Sequence, residues 1–264
     1  NQMWSSFSVS SFIALGPLAA GPQPLKLADC QSLLDSAGCD EPLFDSWLTG
    51  ETLLAYLSAG LLAEAYDAES GRYMLSSAAI QELAALCREM PPAPDPEATA
   101  GLPSKVLKHS FFWPEYLGGL EKAGQPYRIF DGADGGDNFA CLSAFSGSCI
   151  MIPETCGDKD RAWGFLRTLF TADFQQRAYT DGGGFPTNAE AFEAVLAAYA
   201  TEDVRERLCS LIDSAAFLDY DAAQLRRIFL KCMQPYLYGD CGIDAALSDA
   251  EGRINIYAAE HQSS

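Results

Sequence analysis

No helix and no interior strand can run through Met90 to Ser104, which reads MPPAPDPEATAGLPS. Its five prolines lack the amide hydrogen that either ladder needs, and each fixes its own φ. The segment is an extended connector. Before it, ETLLAYLSAGLLAEA reads as one helix and SSAAIQELAALCREM as another. In the second, Ser77 is placed to cap, and Ile80, Leu83, Ala84 and Cys87 share one apolar face. Between them, YDAESGRYMLS reads as a turn with at most a short strand on either side.

After the connector the pattern changes. KVLKHSFFWPEYLGGLEKAG is mixed, YRIF follows, and DGADGGDNF is an acidic, glycine-rich loop. NFACLSA and SCIMI are strand-like. Asp158 to Asn188 then reads DKDRAWGFLRTLFTADFQQRAYTDGGGFPTN. Asp158 caps a helix whose buried face is expected to hold Ala162, Phe165, Leu166, Leu169 and Phe170. Thr171 caps a short second helix carrying Phe174, and Asn188 caps AEAFEAVLAAYA. Further helices are expected over about 202–216, 221–237 and 243–260. In the last, Ile243, Leu247, Ala250, Ile254 and Tyr257 form an amphipathic stripe. The reading is a helix-rich α/β chain with its clearest strands in the middle.

The 36 acidic and 17 basic residues give a net charge of −19. Such a surface repels nucleic acid and anionic lipid. No apolar run reaches the ~18 residues of a membrane helix. The nine cysteines show no C-x-x-C spacing and the histidines number two, His109 and His261, so neither a zinc site nor any other metal is signalled. Cys87 reads as a core hydrophobe; Cys30 with Cys39, or Cys232 with Cys241, could close a short loop. Nucleophile elbow, P-loop, dinucleotide fingerprint and zincin motif are all missing, and no cofactor or catalytic residue is indicated. His109, beside FFW, reads as packed rather than as a base. Asp131, Asp134 and Asp137 invite a calcium reading, but lack the spacing and terminal Glu of an EF-hand, so a solvated turn is expected. Paired aspartates also leave a glycosidase reading, testable with Asp134→Asn or Asp137→Asn.

The 158–188 stretch resembles a signature of the sugar-binding, family 1 extracellular solute-binding proteins of ABC importers. Ala162, Trp163, Phe165, Leu166, Phe174, Gln175, Gly184, Pro186 and Asn188 carry the resemblance. NQMWSSFSVSSFIALGPLAAG looks like the crossing segment into the second lobe. YDAESGRYMLSSAAIQELAALCREMP resembles a turn and helix of Firmicutes lipoproteins of this type, and GIDAALSDAEGRINIYAAEH resembles their terminal helix. The resemblance implies a type II periplasmic-binding-protein fold, similar to maltose-binding protein, with two lobes of which the first is incomplete. Residues 1–126 are then mainly a second-lobe segment, with an inter-lobe crossing near 1–20. Residues 127–187 supply first-lobe and hinge strands with a helix pair, and 188–264 the second-lobe C-terminal helices.

The function so implied is non-enzymatic: capture of a small polar solute, a carbohydrate, by a monomer that delivers it to a membrane permease. The setting implied is extracellular, on a cell-surface lipoprotein whose anchor lies outside this chain. The alternative is a degenerate relative acting as an interaction or scaffold module. Sugar sites use aromatic faces and planar polar groups. The expected ligand residues are Trp4, Trp113 and Phe185, with Asp134, Asp137, Asn138, Tyr220, Gln224 and Arg227. Trp163 and Trp47 are expected to pack. Gly182, Gly183 and Gly184 are expected to act as the hinge. Maltose-type binders place a stacking aromatic near the start of the penultimate helix; Gln224 to Arg227 stand there instead, which counts against a malto-oligosaccharide.

Overall fold

The computed structural model describes residues 3–4, 6–91, 104–144, 149–180, 184–218 and 220–261. Most of the proline connector and Gly182 and Gly183 lie outside them. In chain order the elements begin with β1 (Met3–Trp4), β2 (Ser6–Leu15), α1 (Cys30–Ser36), α2 (Gly50–Glu64), β3 (Tyr66–Asp67), β4 (Arg72–Tyr73) and α3 (Ala78–Glu89). After the connector come β5 (Leu107–Phe111), α4 (Pro114–Lys122), β6 (Tyr127–Ile129), β7 (Cys141–Ala144) and β8 (Cys149–Ile150). The last are α5 (Lys159–Thr168), α6 (Ala172–Thr180), β9 (Phe185–Pro186), α7 (Ala189–Tyr199), α8 (Glu202–Ser214), β10 (Ala216–Leu218), α9 (Tyr220–Leu237) and α10 (Ile243–His261).

Two compact units form, neither continuous in sequence: residues 1–10, 111–124 and 142–213 make the first, and 11–110, 125–141 and 214–264 the second. The chain therefore changes unit between Ser10 and Ser11, Ser110 and Phe111, Gly124 and Gln125, Cys141 and Leu142, and Asp213 and Ser214. None of these passages falls at Gly184, which lies inside the first unit with φ +84°. Gly182 and Gly183, expected to form the hinge with it, lie outside the described residues.

The strand β2 is buried along almost its whole length, as an interior strand covered on both faces must be. Its buried serines are bonded: Ser8 Oγ shares a hydrogen with Ser143 Oγ at 3.0 Å, and Ser11 Oγ donates to the Phe130 carbonyl at 2.7 Å. Its strand order is β10-β7-β2-β5, with β6 and β9 also pairing with β2.

In the second unit, β6 pairs antiparallel with β2 through Ile13↔Ile129 and Leu15↔Tyr127. The core joins Phe12 to α2, α3, α9 and α10. Leu53, Leu54 and Leu57 on α2 are fully buried, each contributing about 1.5–3 kcal/mol. Two α2 glycines are required by close approach. A Cβ on Gly50 would lie 2.0 Å from the Cys87 carbonyl oxygen, and one on Gly60 would lie 2.2 Å from that of Asn138. Ser77 caps α3, accepting from Ile80 N at 3.3 Å, and Ile80, Leu83, Ala84 and Cys87 are buried as their spacing predicts. On α10, Leu247, Ala250 and Ile254 are buried, with Ile243 and Tyr257 packed at the margin. Asn255 of α10 bonds both the N–H and the carbonyl of Tyr73, docking the β3–β4 hairpin. Cys30, Cys39, Cys232 and Cys241 are free thiols, so neither short loop is closed.

In the first unit, Asp158 caps α5 and Asn188 caps α7, accepting from Arg161 N at 2.9 Å and Ala191 N at 3.1 Å. The Thr171 hydroxyl instead donates back to the Thr168 carbonyl at 2.7 Å. Gln175 explains why α6 precedes Phe-Pro-Thr-Asn. Its side chain is buried; its Oε1 accepts the Asn188 N–H at 2.8 Å, and its Nε2 donates to Thr187 Oγ1 at 3.2 Å. Asn188 Nδ2 in turn donates to the Phe170 carbonyl at 3.0 Å. The β9 strand then pairs with the start of β2, Phe7↔Phe185 and Ser6↔Pro186.

The expected buried face of α5 is corrected. Leu166 is buried, but Phe165 is 66% exposed and Trp163 42%. The helix ends at Thr168, so Leu169 and Phe170 fall in the connection to α6, out of phase with the stripe assumed for them. Trp47 is likewise exposed rather than packed away.

Candidate functional site

The first unit gathers two of the expected ligand residues. Trp113 stands at the N-cap of α4, half-buried, just before Pro114 at the first helical position, where proline's fixed φ suits the turn. Its ring lies 5.1 Å from Phe185 and 6.4 Å from Tyr179. Phe185 is fully buried, 5.5 Å from Phe7 and 5.7 Å from Phe192. Phe185 therefore supports Trp113 from beneath, and Trp113 is the ring of that pair with accessible surface. Tyr179 Oη donates to Glu115 Oε2 at 3.0 Å. Burial, and then the neighbouring Glu115, keep that phenol protonated.

The acidic loop of the second unit spends its charge on the chain itself. Asp134 pairs with Arg128 and accepts from Leu25 N at 3.1 Å and Gly136 N at 2.9 Å. Burial works to raise its carboxyl, but the Gly136 N–H, the Arg128 side chain and the Leu25 N–H together hold it below the usual range. Asp137 accepts from Leu27 N at 2.7 Å; burial lifts its carboxyl, opposed by that N–H and by Lys26. Asn138 Nδ2 donates to the Ser214 carbonyl at 2.8 Å, while its Oδ1 accepts from Ala140 N at 3.0 Å. These three groups clasp the 25–27 segment and Ser214, just before β10. Among the described residues no cluster of His, Cys, Asp or Glu could hold a metal ion.

A different cluster in the second unit has the chemistry of a binding site. The α2 helix supplies Tyr56 and Ser58, β5 supplies His109, and α9 supplies Arg226. The Tyr56 and His109 rings stack at 3.9 Å, 6° from parallel, with Phe12 edge-on to the imidazole at 5.3 Å. Both stacked rings are half-buried. Burial first, and Arg226 second, push the His109 imidazole down to about 4, so it is neutral at pH 7. Burial lifts the Tyr56 phenol, opposed by Arg226. Arg226 Nε donates to Ser58 Oγ at 3.0 Å, and the Ser58 hydroxyl donates to the Ala55 carbonyl at 2.9 Å. The guanidinium is thus oriented by a neutral, fully buried group. The two helices also wall a cleft of about 230 Å³, lined by Ala59, Leu62, Tyr66, Tyr73, Ala222 and Leu225.

His109 packs, as its sequence setting predicts. Tyr56, Ser58 and Arg226 were not legible as a site, although a tyrosine and a serine inside the Leu- and Ala-rich α2 were a signal. Of the expected residues on α9, Gln224 is half-buried and Arg227 exposed. Trp4 belongs to β1, paired with Cys149, and Tyr220 opens α9; their side chains lie outside the described set.

No protein-family model and no curated protein matches the chain. Solved structures do. The maltose/maltodextrin-binding domain MalE of Bdellovibrio bacteriovorus, bound to maltotriose, superposes with TM-score 0.62 at 14% identity, covering 100% of this chain and 73% of that one. The cyclic alpha-maltosyl-1,6-maltose binding protein of Arthrobacter globiformis gives 0.57 at 17% identity, covering 98% and 72%. An ABC transporter solute-binding protein of Thermotoga lettingae, bound with α-D-tagatose, gives 0.59 at 12% identity, covering 97% and 72%. The chain therefore has the helix-rich α/β fold of maltose-binding-protein-like periplasmic binding proteins. It spans about 72% of the length of those structures. Among the described residues no helix is long and apolar enough to cross a membrane.

Proposed function

We propose that the chain is the solute-binding component of an ABC importer and that it binds a carbohydrate without transforming it. The observation that carries the reading is the stacked Tyr56–His109 pair beside Arg226, on a fold whose solved neighbours are sugar binders. A flat neutral aromatic face suits the C–H surface of a pyranose, and fixed polar groups at its edge suit hydroxyls. Trp113 on its Phe185 support is a second face of the same kind. Trp4, Tyr220, Gln224 and Arg227 belong to the proposal as further contacts. Asp134, Asp137 and Asn138 belong to it only with atoms left over from their backbone bonds.

The permease partner, the monomeric state, ligand-linked closure and an extracellular, lipid-anchored setting are parts of the same proposal. The test is thermal denaturation of the chain against mono- and oligosaccharides, peptides and amino acids. A true ligand at 100 times its Kd adds about 2.7 kcal/mol. Stabilisation by saccharides, lost in Tyr56→Ala, is the expected result. Stabilisation by peptides or amino acids alone would overturn the carbohydrate reading, and silence across all three classes would favour an interaction module.

A further inference from the structure

We infer that the Arg226 cluster selects a saccharide bearing an anionic group, its ring on the Tyr56–His109 face and its acid on the guanidinium. This rests on the carbohydrate-binding reading above and narrows it. Ion pairs elsewhere among the described residues neutralise Lys105, Arg128, Arg177, Arg205 and Arg253 with a carboxylate each. Arg226 is half-buried, yet its hydrogen-bond partner among the described residues is the neutral Ser58 hydroxyl. The half-buried Arg128 and Arg205, by contrast, each pair with a carboxylate.

Among the described residues no carboxylate forms an ion pair with Arg226. His109 and Tyr56 are neutral at pH 7. Asp45, whose field reaches Tyr56, accepts the amide hydrogen of Ser104. One guanidinium edge is used by Ser58, and the planar fork keeps donors for a carboxylate or phosphate, which it binds in pairs. The total charge of −19 does not cancel this locally, because exposed charges farther than a Debye length of ~8 Å are screened at physiological ionic strength.

The test is calorimetric titration of the full chain with D-galacturonate, D-glucuronate and glucose 6-phosphate, against D-galactose and D-glucose, with inorganic phosphate and citrate as bare anions. The sugar acids or the sugar phosphate should bind roughly 10- to 100-fold tighter than their neutral parents, the range of a charged hydrogen-bonded contact. The carboxylate and phosphate arms separate the two acid types. Arg226→Gln should abolish that factor, so that each sugar acid binds the variant no more tightly than its neutral parent sugar does. Where Arg226→Gln fails to fold, Arg226→Lys, which keeps the charge without the fork, should retain only part of the factor. Neutral and anionic sugars binding alike, in the parent and in the variant, would overturn the selectivity and leave the carbohydrate reading standing. Bare anions binding as tightly as sugar acids, or no saccharide binding at all, would overturn both.

Discussion

Gln175→Leu tests how the Phe-Pro-Thr-Asn segment is held. The Gln175 side chain is 2% exposed and makes two bonds to the segment, to Asn188 N–H at 2.8 Å and to Thr187 Oγ1 at 3.2 Å. Leucine fills nearly the same volume, so the change isolates hydrogen bonding from cavity formation. Each lost bond costs about 1 kcal/mol net, and a part-buried N–H left without an acceptor costs about 1–3 kcal/mol more. The expected loss is about 3–5 kcal/mol. At 2–4 °C per kcal/mol for a chain of this size class, the melting temperature falls by roughly 6–20 °C. Gln175→Glu keeps an acceptor oxygen for Asn188 and should lose less than Gln175→Leu. Hydrogen exchange supplies the local readout: the Asn188 amide and the first turn of α7 should lose protection before α8 does. A Gln175→Leu protein that melts within 2 °C of the parent, with Asn188 still protected, would show that β9 pairing and the Asn188 cap suffice without the glutamine.

Four further outcomes are expected. His109 has a lowered folded-state pKa of about 4 against 6.5, so its contribution is full above about pH 6.5 and is lost as pH falls toward 4. Urea midpoints should record about 2 kcal/mol less stability at pH 5 than at pH 7.5 from this group, and His109→Phe should remove that component. Gly60→Ala should cost about 1–3 kcal/mol by denaturant titration, because the new methyl meets the Asn138 carbonyl oxygen. Gly118→Ala on α4, with open space around it, should instead gain about 0.5–1 kcal/mol. Asp134→Ala should lower stability by about 2–3 kcal/mol, since it strands Arg128 and the Leu25 N–H together; unchanged melting with lost saccharide binding would assign Asp134 to the ligand instead.

Local signals were legible where one side chain serves one nearby backbone group. Ser77, Asp158 and Asn188 each cap the helix that follows them, and the α3 and α10 stripes fall at their expected spacings. Signals spanning long stretches of chain were not legible. The β2 strand is ten residues, SFSVSSFIAL; Phe7 and Val9 alternate with serines, then apolar residues run on, and its interior position depends on partners more than 100 residues away. The same holds for Gln175: a buried glutamine on a short helix looks like surface until Thr187 and Asn188 arrive beside it. The α5 face misled because an apolar side chain at helical spacing need not be covered: Phe165, in the middle of α5, is exposed while Leu166 is buried. The hydrogen bonds of the acidic loop were hidden for an electrostatic reason. Asp134 and Asp137 look available in sequence, but backbone amides at 25 and 27 use them.

That contrast also explains why Arg226 stands out. The α2 helix carries its two acids at its ends. Glu51 accepts from Gln234 Nε2 at 2.8 Å and from Tyr238 Oη at 3.1 Å. Glu64 sits at the other end, its carboxyl raised by burial and then by Asp137. Between them the helix offers Tyr56 and Ser58 to α9, and no carboxylate. A leucine or alanine in place of Ser58 would leave the Arg226 Nε–H without its acceptor, whereas an acid there would neutralise the charge. The serine does neither: it fixes the guanidinium and leaves its charge in place. A cation so held, beside two uncharged rings, is organised for a partner that the described residues do not supply.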